Sequence, residues 1–388
     1  MGIRNASHRM HSRLAFGASL TASVVALTSV AVLGAGAAVL SRSTPQSNGP
    51  SVALTGAGST FDQPFFTLGF YQYNKKINSK VTVTYASIGS GGGQQQIESN
   101  TVNFGATDVP MFPADLAKAA GAIVQVPIDL GGVAISYNVP GLPQGLHLTG
   151  AVLAAIYLGQ ITNWDDPALK ALNPKTSFPN EAITVVHRAD GSGTSYAFTN
   201  YLAEVSSTWA SKVGVGKTVA WPVGVGGQGN EGVAGLVADT PGSIGYVELD
   251  YALVNHFKYF AMKNPRGTWV LPTLASVAAD AALHPHVSST DFAIDNLGGP
   301  SKLATIAYPI DTYSWLAIYK HQTNSAAGTQ MVNLFEWMTH GGQSYAKSLK
   351  YVPLPAAVRL TAEKTLQQIV GSNGRALLTK AAIAKYGR

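Results

Sequence analysis

Arg188-Ala189-Asp190-Gly191-Ser192-Gly193-Thr194-Ser195 gathers a guanidinium, a carboxylate, hydroxyls and two glycines in one short run. Before it, Ile183-Thr184-Val185-Val186 is β-branched and apolar and predicts a strand. After it, Tyr196, Ala197, Tyr201, Leu202 and Val205 have roughly helical spacing. A strand end, tight turn and helix start bring free backbone N–H groups and the Ser192 and Thr194 hydroxyls to one helix N-terminus, which suits an anion. Gly191 and Gly193 are expected to take positive φ, so that consecutive N–H groups face one concavity. Arg188 adds a fixed fork of donors for a tetrahedral oxyanion. Taken alone, the same residues also describe an ordinary strand–turn–helix with a surface arginine.

Two further segments share the design. Gly58-Ser59-Thr60-Phe61 follows a strand over 52–55 and precedes a helix over 62–76. Gly89-Ser90-Gly91 follows a strand over 81–87 and precedes a helix over 94–99. Three helix ends converging on one point would hold a dianion with a single full positive charge, Arg188. Asp108, between a strand and Pro110, looks out of place beside an anion, unless it acts as a selector. Monohydrogen phosphate carries a proton to donate to a carboxylate, whereas sulfate at neutral pH carries none. Discrimination through an unpaired buried group reaches on the order of 10⁴-fold. Asp190 would hold the Arg188 guanidinium or serve as a turn residue. Phe61, Phe65 and Phe66 read as packing.

The elements that must position these residues alternate as strands and helices, which argues an α/β fold. Strands are expected over 123–127, 133–137 and 313–319, and helices over 113–120, 151–158, 329–339, 343–349 and 356–369. Asn138-Val139-Pro140-Gly141-Leu142-Pro143 and Ile310-Asp311-Thr312 are candidate hinges. Residues 255–308 look irregular.

Other chemistries find little support. The chain has no cysteine, which excludes disulfides, thiolate metal sites and a lipid-modified cysteine. Gly224, Gly226 and Gly229 spell a dinucleotide motif, but the preceding strand is short and contains Pro222. Gly216-Lys217-Thr218 resembles a P-loop end, but Ser211 stands where the motif needs glycine. Asp165 and Asp166 read as helix capping, and His284-Pro285-His286 as a loop, so no metal is expected. No serine sits in a nucleophile elbow. No cofactor is expected.

The 388 residues carry 46% hydrophobic and 12% charged side chains, a globular composition. The net charge is +6, and Arg4, Arg9 and Arg13 supply half of it, too little elsewhere for a nucleic-acid partner. Those arginines precede an uncharged run from Leu14 to Leu40 with Ala35-Gly36-Ala37 near its end, the layout of an export signal over 1–40. The run is also long enough for an uncleaved anchor. A linker over 41–51 follows.

The ordered blocks Leu54-Thr55-Gly56-Ala57-Gly58-Ser59-Thr60-Phe61, Ile88-Gly89-Ser90-Gly91-Gly92, Asn103-Phe104-Gly105-Ala106-Thr107-Asp108 and Arg188 to Ser195 resemble the extracytoplasmic phosphate-binding protein of the phosphate-specific ABC importer. Ile156 to Ile161, Trp164-Asp165-Asp166, Gly226 to Gly232 and Gly245 to Glu248 extend the likeness. It implies a two-lobed periplasmic-binding-protein fold of type II, with two hinge crossovers. Residues 52–137 and 311–388 would form the first lobe, and 138–310 the second. The family's phosphate contacts fall on Thr60, Phe61 through its backbone N–H, Ser90, Asp108, Arg188, Ser192, Gly193 and Thr194. It implies a non-enzymatic, monomeric receptor, periplasmic or otherwise extracytoplasmic, that delivers inorganic phosphate to a membrane permease. The alternatives are a receptor for another tetrahedral oxyanion, a phosphate-ester hydrolase, or a surface-anchored sensor or adhesion protein.

Overall fold

The computed structural model describes residues 51–283 and 302–387. The leader, the linker through residue 50 and His284-Pro285-His286 lie outside the described residues. Among the described residues, no helix is long and apolar enough to cross a membrane.

Strands β1 (Val52–Gly58), β2 (Val81–Ser87) and β3 (Phe104–Thr107) lie parallel, with β1 in the middle. Helix α1 (Gln63–Lys76) connects β1 to β2, and α2 (Gly89–Glu98) connects β2 to β3. Parallel neighbours need such crossovers, because a tight hairpin turn cannot join them. Next come β4 (Ile123–Asn138), β5 (Thr184–Arg188), β6 (Val225–Gly227), β7 (Ser243–Glu248) and β8 (Asp311–Tyr319). The sheet order is β2-β1-β3-β8-β4-β7-β5-β6, with Lys258–Tyr259 also paired to β4.

The two strands expected over 123–127 and 133–137 are one continuous strand. Pro127 interrupts the sequence pattern but not the sheet. Ser314 pairs with Asp129 and Trp315 with Pro127, so Ile128 is an extra residue. Such a bulge is where a strand accommodates proline. Through Gly132, β4 pairs with β8, and from Val133 onward it pairs with β7. Val133 also donates to the Ile310 carbonyl at 2.8 Å.

The core is strongly aromatic. Phe66 stacks on Phe70 at 5.1 Å and meets Tyr85 edge-on at 4.9 Å, while Phe104 meets Phe335 edge-on at 4.9 Å. Each such pair adds about 0.5–1.5 kcal/mol beyond the area it buries. Phe61 and Phe65 are fully buried, in keeping with their reading as packing. Residues 255–308, expected to be irregular, contain short strands at Ala261–Lys263 and Trp269–Val270 and a helix at Leu274–Leu283. Strands of two or three residues are too short to show a period in sequence.

Candidate functional site

The three glycine turns meet. After β1, the Ser59 N–H donates to the Ala106 carbonyl at 2.9 Å, fixing the turn against the end of β3. Helix α2 begins at Gly89 rather than at residue 94, so Ser90 lies inside its first turn. The glycine run is helical because the helix lies hard on the strands. A Cβ at Gly93 would stand 2.5 Å from the Gly58 Cα. Helix α3 (Gly193–Val205) is capped by Ser192, whose Oγ accepts the Ser195 N–H at 3.0 Å. Gly191 and Gly193 do not take the positive φ expected of them. Close approach is what requires glycine there, since a Cβ on Gly191 would lie 3.1 Å from the Gly91 Cα. The Gly91 N–H donates to the Gly191 carbonyl at 2.7 Å.

Arg188 ends β5 almost wholly buried. Its Nε donates to Asp190 Oδ1 at 2.7 Å and its Nη2 to Asp190 Oδ2. The Gly229 N–H also donates to Asp190, at 3.1 Å. Burial alone would raise the Asp190 carboxyl, but the Arg188 bonds and charge outweigh it and hold the group below the usual range. Arg188 Nη1 donates to Thr194 Oγ1 at 3.4 Å, and Thr194 Oγ1 donates to Asp108 Oδ2 at 3.4 Å. Asp108 Oδ1 accepts from the Ser59 hydroxyl and, at 3.1 Å, from the Ser314 hydroxyl. Burial raises the Asp108 carboxyl, and the hydroxyl donors and Arg188 only partly offset it. Ser90 Oγ accepts the N–H groups of Asp108 and Gly193, both at 3.1 Å. Thr60 Oγ1 accepts the Asn230 N–H at 3.0 Å and Asn230 Nδ2 at 2.9 Å.

Thr60, Ser90, Asp108, Arg188, Gly193 and Thr194 thus share one buried polar network. The Ser192 side chain belongs to the α3 cap at its edge. The Phe61 ring packs edge-on against Tyr351 at 6.0 Å, and its carbonyl accepts the Tyr351 hydroxyl. Chemically, the network offers an arginine and a carboxylate on opposite sides of Thr194, flanked by helix N-termini. It can take an anion that both accepts and donates hydrogen bonds.

Residues 43–335 match the PBP superfamily domain. The phosphate-binding protein PstS of Xylella fastidiosa is 42% identical over 306 residues, covering 79% of this chain and 82% of the relative. The PstS of Haemophilus influenzae is 41% identical over 307 residues, covering 79% and 90%. The chain belongs to the PstS phosphate-binding protein family. Among solved structures, the phosphate-bound high-affinity periplasmic phosphate-binding protein PfluDING aligns with a TM-score of 0.64 at 20% identity, covering 87% of this chain and 99% of that one. The phosphate-binding protein of Stenotrophomonas maltophilia gives 0.59 at 20% identity, covering 80% and 92%. The fold is accordingly the two-lobed α/β fold of periplasmic binding proteins.

In this PstS-family chain, the structure adds residues to the site that no sequence pattern singled out. Asn230, at the start of helix α4 (Gly229–Asp239), is fully buried. Besides Thr60 it reaches Thr194 Oγ1 at 3.3 Å, and its Oδ1 accepts the Glu248 N–H at 2.9 Å. It lies in the family block Gly226 to Gly232, and a polar residue at a glycine-flanked helix start was the available signal. Ser59 lies in the first glycine turn but was not singled out as a donor to Asp108, and Ser314, the other donor, gave no pattern of its own. Lys217 reaches Gln94 Oε1 on α2 and lies 3.7 Å from Asp115, while its carbonyl accepts the Ser192 N–H at 2.9 Å. Among the described residues, one group has metal-ligand proximity: Glu336, His340 and Glu363, with ligand atoms within 4.8 Å of one another. His340 Nδ1, 3.0 Å from the Glu336 carbonyl, is accounted for as a helix-end hydrogen bond.

Proposed function

We propose that this protein binds inorganic phosphate outside the cytoplasm and delivers it to the membrane permease of a phosphate ABC importer. The observation that carries the reading is Asp108, a buried carboxylate held among hydroxyl donors and linked through Thr194 to Arg188. An acceptor in that place favours an anion that brings its own proton, as monohydrogen phosphate does. Thr60, Phe61, Ser90, Asp108, Arg188, Ser192, Gly193 and Thr194 are the contacts, with Asp190 orienting Arg188. Family membership supports the same ligand.

The lobes are residues 52–137 with 311–388, and 138–310. Bending falls at the two crossovers between them, 138–143 and 310–312, so that closure presses α2 against the Gly191 turn. The N-terminal leader exports the chain, which acts as a monomer without a cofactor and without turnover. Calorimetric titration of ligand-stripped protein with phosphate and then sulfate tests the reading. Phosphate binding with no sulfate response is expected. Equal binding of both would remove the selector, and no binding of either would overturn the function.

A further inference from the structure

Two carboxyls beneath the site, Asp62 and Asp129, take no part in the phosphate contacts, and a role for them rests on the phosphate reading of that site. Asp62 occupies the N-cap of α1, where aspartate ordinarily accepts a backbone N–H, yet it makes no cap bond. Its two carboxyl oxygens, like both of those of Asp129, are buried without a hydrogen-bond partner among the described residues, and the two carboxyls lie close enough to act on one another. Asp129 lies on β4 opposite Ser314, beside the bulge at Ile128, a feature that re-aims side chains. Both residues are fully buried. The Ser314 hydroxyl lies among Asp62, Asp129 and Asp108, and its single proton goes to Asp108 Oδ1. An ionised carboxylate only accepts hydrogen bonds, so two neighbouring buried carboxyls without donors are relieved by a proton on one of them, which then donates to the other.

The charges around the pair point the same way. The titratable groups that face it are Asp108 after β3, Glu248 at the end of β7, Tyr85 on β2, and Tyr351. All are acids. The nearest cation in the network, Arg188, acts on Asp108 and is already paired with Asp190. Full ionisation would place the charges of Asp62, Asp129 and Glu248 behind Asp108, beneath a site for a dianion.

We propose that Asp62 and Asp129 share a proton beneath Asp108, and that this pair sets the pH range over which the site holds phosphate. Both are positioning residues that act through Asp108. With the proton in place, Asp108 is the ionised acceptor for the phosphate hydroxyl. When pH rises, the shared proton leaves to water and a second buried negative charge appears under the anion. Burial, reinforced by neighbouring carboxylates, pushes Asp62 well above the usual carboxylate range and Asp129 up to about 8.

The test is calorimetric titration of the full chain with inorganic phosphate at about pH 6, 7.5 and 9, for the unsubstituted protein, Asp129→Asn and Asp62→Asn. Phosphate's own ionisation is common to all three, so the ratio of affinities isolates the pair. The unsubstituted protein and the variants should bind alike at the acid end. At the alkaline end the unsubstituted protein should bind on the order of tenfold more weakly than the variants, as expected for one buried charge near the ligand. Parallel pH profiles would overturn the pair's role while leaving the phosphate site intact. Absence of phosphate binding at every pH would instead overturn the site. A second measurement needs no substitution. At about pH 9 free phosphate is already monohydrogen phosphate, so titration of the unsubstituted protein in buffers of different ionisation enthalpy should show net proton uptake on binding. No uptake would overturn the proposal even if both variants failed to fold.

Discussion

Gly193→Ala separates the folding of α3 from the meeting of the two sides of the site. Gly193 is the first residue of α3, and its N–H donates to Ser90 Oγ at 3.1 Å. A Cβ there would stand 2.6 Å from the Asp108 Cβ and 2.8 Å from its Cα and carbonyl carbon. Carbon atoms in contact sit about 3.5–4.0 Å apart. The overlap is therefore close to an ångström, against backbone that cannot swing aside. Because Gly193 is not in the left-handed region, alanine suits the helix itself and improves its propensity by about 0.5–1 kcal/mol. The strain falls on the contact between α3 and Asp108. Overpacking of this kind costs about 1–3 kcal/mol. Loss of the Ser90 bond adds about 1 kcal/mol. Phosphate affinity should fall about 30- to 1,000-fold by calorimetry. The thermal midpoint without ligand should move by no more than about 4–8 °C. An affinity within a factor of about three of the unsubstituted protein would refute the argument that close approach, rather than backbone conformation, demands glycine here.

Asp108→Asn should admit sulfate, narrowing a phosphate preference on the order of 10⁴ by at least about a hundredfold. Arg188→Ala should weaken phosphate more, because it leaves Asp190 buried without its partner, a loss of about 3–5 kcal/mol. Competition calorimetry checks both, and an unchanged preference in Asp108→Asn would count against the selector. Asn230→Ala removes the bonds to Thr60 and Thr194 and orphans the Glu248 N–H, so affinity should drop by about 1–3 kcal/mol, measurable in the same titration. Stability should decline as pH rises from the ordinary carboxylate range through neutral to the alkaline side. Asp62, Asp129 and Glu248 hold their protons more tightly when folded, chiefly through burial, so their contribution is full below the ordinary carboxylate range. It is lost as pH rises through the folded values, with Asp129 at about 8. Each such group costs about 1.4 kcal/mol per pH unit between its ordinary and folded values. Urea midpoints that rise between neutral and alkaline pH would contradict this.

Much of the site was legible because it is local. Arg188, Asp190, Ser192 and Thr194 lie within one turn, and a strand, a glycine turn and a helix start are each short-range patterns. The repetition of that pattern at Ser59-Thr60 and Ser90, together with the family blocks, carried the rest of the proposed contact set. What could not be read were the contacts made by residues far apart in sequence. Gly93 and Gly193 look like loop glycines, yet they sit in helices where a neighbouring backbone leaves no room for a Cβ. Pro127 looks like a strand end, yet the bulge opposite Ser314 and Trp315 carries β4 past it. Asp62 stands in sequence as the first residue of the expected helix, and only the fold brings it to Asp129. The sequence by itself determined the alternation of strands and helices around the glycine turns, the polar groups available to the site and the presence of a carboxylate among them. The tertiary structure decided which groups meet, because sheet order and strand register bring residue 62 to residue 129 and residue 60 to residue 230. Such pairings depend on burial shared by distant elements, for which a linear pattern carries no period.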